Sequence, residues 1–135
     1  MIIPVNLDEK YDVIVENGAL DDAGKYFNLN RKVLVLTDDG VPETYAEKVA
    51  KKCETPVVVT LKHGEKSKNF DNFKHILSVM LENSFSRKDC VVAVGGGVVG
   101  DICGFAASCY MRGVDFYNVP TTLLSMVDSS IGEKT

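Results

Sequence analysis

Cys90-Val91-Val92-Ala93-Val94-Gly95-Gly96-Gly97-Val98-Val99-Gly100-Asp101 is the stretch from which the fold is read. Cys90–Val94 is a continuous apolar run of strand length, and the segment Val98–Cys109 that follows is apolar and helix-forming. Only glycines join the two. A strand that passes through a side-chain-free turn straight into a helix leaves backbone N–H groups and the positive end of the helix dipole open to an anion such as phosphate. Gly95, Gly97 and Gly100 also satisfy the spacing G-x-G-x-x-G, with one glycine for the turn, one for close approach of a pyrophosphate and one for helix–strand packing. The same spacing occurs in strand-to-helix turns that bind nothing. Several strand-like runs precede it here, whereas the dinucleotide fingerprint usually lies on a domain's first strand. Asp115, 20 residues beyond Gly95, stands where a ribose-binding acid is expected, and it reads equally well as a solvated loop carboxylate.

Working back from this turn, Tyr11–Val15, Lys32–Leu36 and Val57–Leu61 read as strands, the last introduced by Pro56. Helix-like stretches lie between them near Gly18–Phe27 and Pro42–Cys53. Pro42 suits a first helical turn, and Lys48, Lys51 and Lys52 suit the negative end of the dipole. In Asn69–Ser84, the residues Phe70, Phe73, Ile76, Leu77, Met80 and Leu81 recur at spacings of three and four and predict one buried face. Strand and helix therefore alternate. The expected architecture is α/β and Rossmann-like, a mostly parallel sheet with helices on both faces. No repeat, linker or low-complexity segment interrupts it, and the whole of 1–135 reads as one domain. The polar string Asp128–Thr135 runs to the last residue without a closing strand, so the chain is expected to be the front part of a longer protein.

Composition sets limits on partners. The 135 residues suffice for one domain with its own core, at 45% hydrophobic and 25% charged residues. A net charge of −4 provides no basic footprint, so nucleic acid is not an expected partner. Val91–Tyr110 is apolar but carries Asp101 and several glycines, which fits a buried helix rather than a membrane span. Cys53, Cys90, Cys103 and Cys109 show no C-x-x-C spacing and no disulfide framework; reduced, buried thiols are expected. The N-terminus shows no signal-peptide pattern, and the cytoplasm is the expected compartment.

Ligands of α/β sheets gather beyond the carboxyl ends of the strands, and each polar string falls at such an end. Thr37-Asp38-Asp39-Gly40 follows Lys32–Leu36; an acid there can accept from ribose or adenosine groups, or serve as a turn or cap acid. His63-Gly64-Glu65-Lys66-Ser67-Lys68 follows Val57–Leu61, and Pro120-Thr121-Thr122 follows a short run at Phe116–Val119. Together with the long run GGGVVGD…GFAAS.Y.RG…VPTTLLS.VDSSIG.KT from Gly95 to Thr135, these strings resemble the N-terminal, NAD-binding domain of the 3-dehydroquinate synthase family. The resemblance covers most of the chain. It implies that NAD is held by His63, Gly64, Glu65, Lys66, Ser67 and Lys68, by Gly96, Gly97, Val98, Val99, Gly100 and Asp101, and by Thr121 and Thr122, with Asp38 at the adenosine end. It further implies catalytic roles for Asp128 and Lys134, the latter also near the nicotinamide, and for Arg112, which reaches the substrate phosphate across a homodimer interface. A guanidinium pairs with phosphate oxygens in a bidentate fork, which suits that role.

Two departures qualify the match. Where the family shows Gly-Gly-Lys-Thr, this chain has Gly132-Glu133-Lys134-Thr135. The family's divalent metal, zinc or cobalt, is ligated by a glutamate and two histidines of a C-terminal helical domain that this chain lacks. His63 and His75 are its only histidines, and His75 lies on the amphipathic segment as an ordinary helix residue; no metal ligand is expected here. The resemblance implies an enzyme that converts 3-deoxy-D-arabino-heptulosonate 7-phosphate, a sugar phosphate, to 3-dehydroquinate and phosphate in the shikimate pathway, with this stretch inactive alone. Alternatives are a related sugar-phosphate cyclase such as a 2-deoxy-scyllo-inosose synthase, a glycerol-dehydrogenase-like enzyme, or a non-catalytic nucleotide-binding module.

Overall fold

A computed structural model of the chain describes residues 2–6, 10–15, 23–121 and 130–133. Its centre is a four-stranded parallel sheet of β3 (Lys32–Asp38), β4 (Thr55–Leu61), β5 (Cys90–Gly95) and β6 (Asp115–Pro120), in the spatial order β4-β3-β5-β6. Every residue of β5 is buried, as a strand covered on both faces requires. Alternation within β3 then sorts the helices. Val33 and Val35 face Phe27, Ala46 and Val49, the side of α1 (Ala23–Tyr26) and α2 (Glu43–Ala50). Leu34 and Leu36 face Ile76, Met80, Ile102 and Ala106, the side of α3 (Phe70–Glu82) and α4 (Gly97–Cys109). Chain direction across the sheet reverses between β3 and β5, where α/β sheets open a ligand crevice.

The expected α/β architecture with a parallel sheet and helices on both faces is present, and four of the predicted strands coincide with β3 to β6. A second, antiparallel sheet was not foreseen. It consists of β1 (Ile2–Asn6), β2 (Lys10–Val15) and β7 (Ser130–Glu133), in the order β1-β2-β7. Tyr11–Val15 therefore belongs to a hairpin sheet and not to the parallel one, because period-two alternation marks a strand without saying which partner it takes. β1 carries Pro4 and is an edge strand, where proline is tolerated. Ser130–Glu133 pairs with β2, so the expectation that no strand follows Asp128 is corrected. Of the predicted helix at Gly18–Phe27, Ala23–Tyr26 is helical and 16–22 lies outside the described residues.

The other helices follow their signals. Pro42 precedes α2, and Asn69 caps α3 by accepting from the Asn72 N–H at 2.8 Å. On α3, Ile76 and Met80 are fully buried and Phe73 and Leu77 partly so, but Phe70 and Leu81 are exposed, at 71% and 67%. The core stripe is thus narrower than the six apolar residues suggested. Cys90 and Cys103 are buried, Cys53 is half-buried and Cys109 is exposed; all four are free thiols. Burial raises the Cys53 pKa to about 11 and that of Cys90 to about 12, which leaves both inert near neutrality.

Candidate functional site

The sheet register brings the predicted strings to one edge. Asp38 pairs with Leu61, Thr37 with Val94 and Gly95 with Pro120, so the four strands end side by side. Beyond β5, α4 starts at Gly97 with Gly96 as its N-cap and no capping side chain. Its first N–H groups have no partner within the helix and point along the dipole toward the crevice. The glycines here divide by what surrounds them. A Cβ on Gly95 would lie 2.8 Å from Val99 Cγ2, and one on Gly100 would lie 3.3 Å from Asn118 Oδ1, so both serve close packing of α4 on the sheet. A Cβ on Gly96 or Gly97 would meet nothing within 4 Å, and neither residue has a positive φ. The fold does not require those two glycines. Their bareness keeps space open above the helix terminus.

The turn after β4 comes to the same place. Glu65–Ser67 forms a short 3-10 helix after Gly64, whose φ of 108° suits glycine. Lys68 then reaches Asp101 in the first turns of α4 with an Nζ–Oδ2 distance of 2.9 Å. Both side chains are largely exposed, and the hydrogen bond to Asp101 holds the Lys68 ammonium pKa above its ordinary value. Ser67 is buried and its hydroxyl donates to the Lys62 carbonyl, which commits that side chain to the turn itself. Asp38, half-buried, accepts from the Gly40 N–H at 2.9 Å, and so acts as a turn acid at the end of β3. Half-buried Thr121 follows Pro120 directly. Thr122, Asp128 and Lys134 lie outside the described residues.

Asp39 and Asn118 belong to this edge and were not singled out in the sequence. Asn118 lies behind Gly100 with its Oδ1 buried and unpartnered. Asp39 Oδ1 accepts from the His63 backbone N–H at 2.7 Å and bonds His63 Nδ1 at 2.5 Å. The ring bond, and then the backbone bond, hold the Asp39 carboxyl pKa below 3.8. Since the folded value is depressed, the pair's contribution to stability is complete above the ordinary aspartate pKa and is lost as pH falls through the lower folded value. His63→Ala is expected to raise the Asp39 titration midpoint toward 3.8, read from its carboxyl carbon shift by NMR. An unchanged midpoint would show that the ring does not bear on Asp39.

Two candidates sit elsewhere. Asp115 opens β6 in register with Cys90, at the far edge of the sheet, and pairs with Arg31 at 3.0 Å. Its solvated-carboxylate reading therefore prevails over the ribose one. Arg112 precedes β6 at the same far edge, exposed and, among the described residues, without an ion pair. Its backbone is strained: Met111 and Arg112 have φ of 47° and 68°. His75 is exposed on α3, and no group of three or more His, Cys, Asp or Glu among the described residues could hold a metal ion. No helix among them is long and apolar enough to cross a membrane.

Sheet order, crevice and glycine turn define a Rossmann-like α/β domain whose open edge leaves the α4 terminus bare at Gly96 and Gly97. The family model for the 3-dehydroquinate synthase N-terminal region matches residues 58–135, and the chain belongs to that family. A 3-dehydroquinate synthase from Alkaliphilus metalliredigens (strain QYMF) is 46% identical over 134 residues, covering 97% of this chain and 38% of that protein. The chain thus spans about two fifths of that relative's length. Among solved structures, a 2-epi-5-epi-valiolone synthase from Streptomyces hygroscopicus subsp. jinggangensis 5008, with NAD+ and Zn2+ bound, aligns with a TM-score of 0.72 at 28% identity, covering 92% of this chain and 36% of that one. A 2-deoxy-scyllo-inosose synthase complexed with carbaglucose-6-phosphate, NAD+ and Co2+ aligns with a TM-score of 0.79 at 23% identity, covering 90% and 35%, and attests the fold.

Proposed function

We propose that this chain is the NAD-binding portion of a 3-dehydroquinate synthase that turns 3-deoxy-D-arabino-heptulosonate 7-phosphate into 3-dehydroquinate and phosphate, a lyase reaction of aromatic amino acid biosynthesis. The observation that carries the reading is the bare ground at Gly96 and Gly97. Two glycines that packing and backbone geometry do not require stand above uncapped helix N–H groups, which suits close approach of a pyrophosphate. In this reading the α4 terminus holds the pyrophosphate, Glu65, Lys68 and Asp101 flank it, Asp38 accepts from the adenosine ribose, and Thr121 and Thr122 close the crevice. Bound NAD supplies transient oxidation of a substrate hydroxyl. The zinc or cobalt of the full enzyme would be held by a glutamate and two histidines of a helical C-terminal domain, and no step here passes through it.

Asp128 and Lys134 would handle the substrate, Arg112 would take the phosphate of a partner subunit's substrate, and this stretch would not turn over alone. The full enzyme would be a cytoplasmic homodimer. The relatives' 3-dehydroquinate synthase identity favours this reading over another cyclase. Calorimetric titration with NAD tests it. Wild-type binding should weaken about tenfold in Gly97→Ala, the order of change that a displaced hydrogen-bonded group brings, while the unfolding midpoint holds. Equal NAD affinity in the two proteins would exclude the α4 terminus as the pyrophosphate site.

A further inference from the structure

We propose that Asp39 is a positioning residue for the cofactor: through His63 it clamps the turn between β4 and α3 to the end of β3, and so fixes Glu65 and Lys68 over the crevice. This rests on the cofactor reading above. One carboxylate oxygen takes two bonds from one residue, the main-chain N–H of His63 at 2.7 Å and its ring Nδ1 at 2.5 Å. The Asp39 N–H in turn donates to the Leu61 carbonyl at 2.9 Å. Asp39 thus extends the β3–β4 pairing past the register's last pair, Asp38 with Leu61. Gly40 makes room for it, since a Cβ there would stand 3.1 Å from His63 Cβ.

Past this clamp, and apart from the Lys68–Asp101 ion pair to α4, the hydrogen bonds of the turn among the described residues run within itself and to its own helix. The Ser67 hydroxyl donates to the Lys62 carbonyl, the Ser67 N–H to the Gly64 carbonyl at 3.1 Å, and Asn72 Nδ2 to the Ser67 carbonyl at 2.7 Å. Such a unit moves as one piece. Gly64, at φ 108° with no side chain, is the natural pivot between His63 and Glu65. Releasing the clamp at one end would let the piece swing, carrying Lys68 off Asp101. His63 and Asp39 are both more than half exposed, at 66% and 51%. Exposed pairs add little to global stability. A residue placed to aim a turn, and not to hold the fold, should lose affinity without losing stability.

The experiment compares wild type, Asp39→Ala, Asp39→Asn, His63→Ala and the double alanine variant. It reads amide exchange at residues 63–68 by NMR, thermal unfolding, and NAD affinity by calorimetry. Asp39→Ala is expected to speed exchange of the His63 amide and weaken NAD binding about tenfold, the order of effect of lost hydrogen bonds, with the unfolding midpoint nearly unmoved. Asp39→Asn should restore most of both, since its amide oxygen accepts the same two bonds. The double variant should be no weaker than Asp39→Ala, as expected for residues acting as one unit. Wild-type binding with undiminished affinity in Asp39→Ala would overturn the proposal and leave the cofactor reading intact. So would failure of Asn to rescue, or full additivity of the two alanine effects, since each residue would then touch NAD separately. Absence of NAD binding by folded wild type would instead overturn the cofactor reading, and the positioning role with it.

Discussion

Gly95→Ala is expected to destabilise the domain by about 1–3 kcal/mol, the range for forcing a methyl group into a well-packed site. The added Cβ would stand 2.8 Å from Val99 Cγ2 and 2.9 Å from Val99 Cβ. Val99 is buried and β-branched on α4, so it has no free rotamer in which to retreat. The helix itself must shift away from β5, and with it the N–H groups that face the crevice. Urea denaturation measures the loss. Gly97→Ala, two residues on, is the control, because its methyl group enters open space and removes backbone freedom from the unfolded chain. Equal destabilisation by the two would show that the turn is not divided into a packed and an open glycine.

The second large effect concerns Arg112. In the full-length enzyme, Arg112→Ala is expected to lower kcat/KM by about 100-fold, or about 2.7 kcal/mol, as befits loss of a charged phosphate partner, while NAD affinity stays within about twofold of wild type. The argument is one of distance. Arg112 precedes β6 at the edge where Asp115 and Cys90 begin their strands, and the crevice lies where Gly95 and Pro120 end them. Five residue steps of about 3.3 Å separate those edges, more than an arginine side chain spans. Meanwhile the local backbone is held for presentation: the Gly113 N–H donates to Tyr110 O at 2.7 Å, and the Tyr110 hydroxyl to Phe85 O at 2.9 Å. An arginine that serves a partner subunit's substrate also predicts complementation. Mixing the impaired Arg112→Ala enzyme with a Lys134→Ala enzyme should restore part of the activity, because a hybrid dimer would hold one intact site. No recovery in hybrids confirmed by mass spectrometry would show that Arg112 acts within its own chain, or not at all.

Much of the parallel sheet could be read directly, because its strands are short β-branched runs separated by helices with marked starts: Pro42 before α2, Asn69 before α3 and the glycine turn before α4. The glycine spacing also revealed which edge would be open. It did not reveal that Gly95 and Gly97 do opposite jobs, since that depends on where Val99 lies in space. The antiparallel sheet escaped because the partner of β2 comes from the far end of the sequence, and no local pattern in Ser130–Glu133 declares it. Phe70 and Leu81 misled because the apolar stripe of α3 is wider than the surface it covers. Asp39 escaped for another reason. An aspartate beside Asp38 and Gly40 looks like turn chemistry, and only the fold brings it to His63.

The pairing of Ile14 with Ile131 gives the molecule an order of assembly. The four parallel strands are all encoded by Pro120, whereas β1 and β2 alone form a two-strand hairpin, which is at best marginal in water. During synthesis, the amino-terminal segment must therefore wait, unpaired on its outer side, until Ser130–Glu133 has left the ribosome. The residues made first are then expected to be the ones secured last. Their amides should gain protection only after those of β3 and β5 in a pulse-labelled refolding experiment.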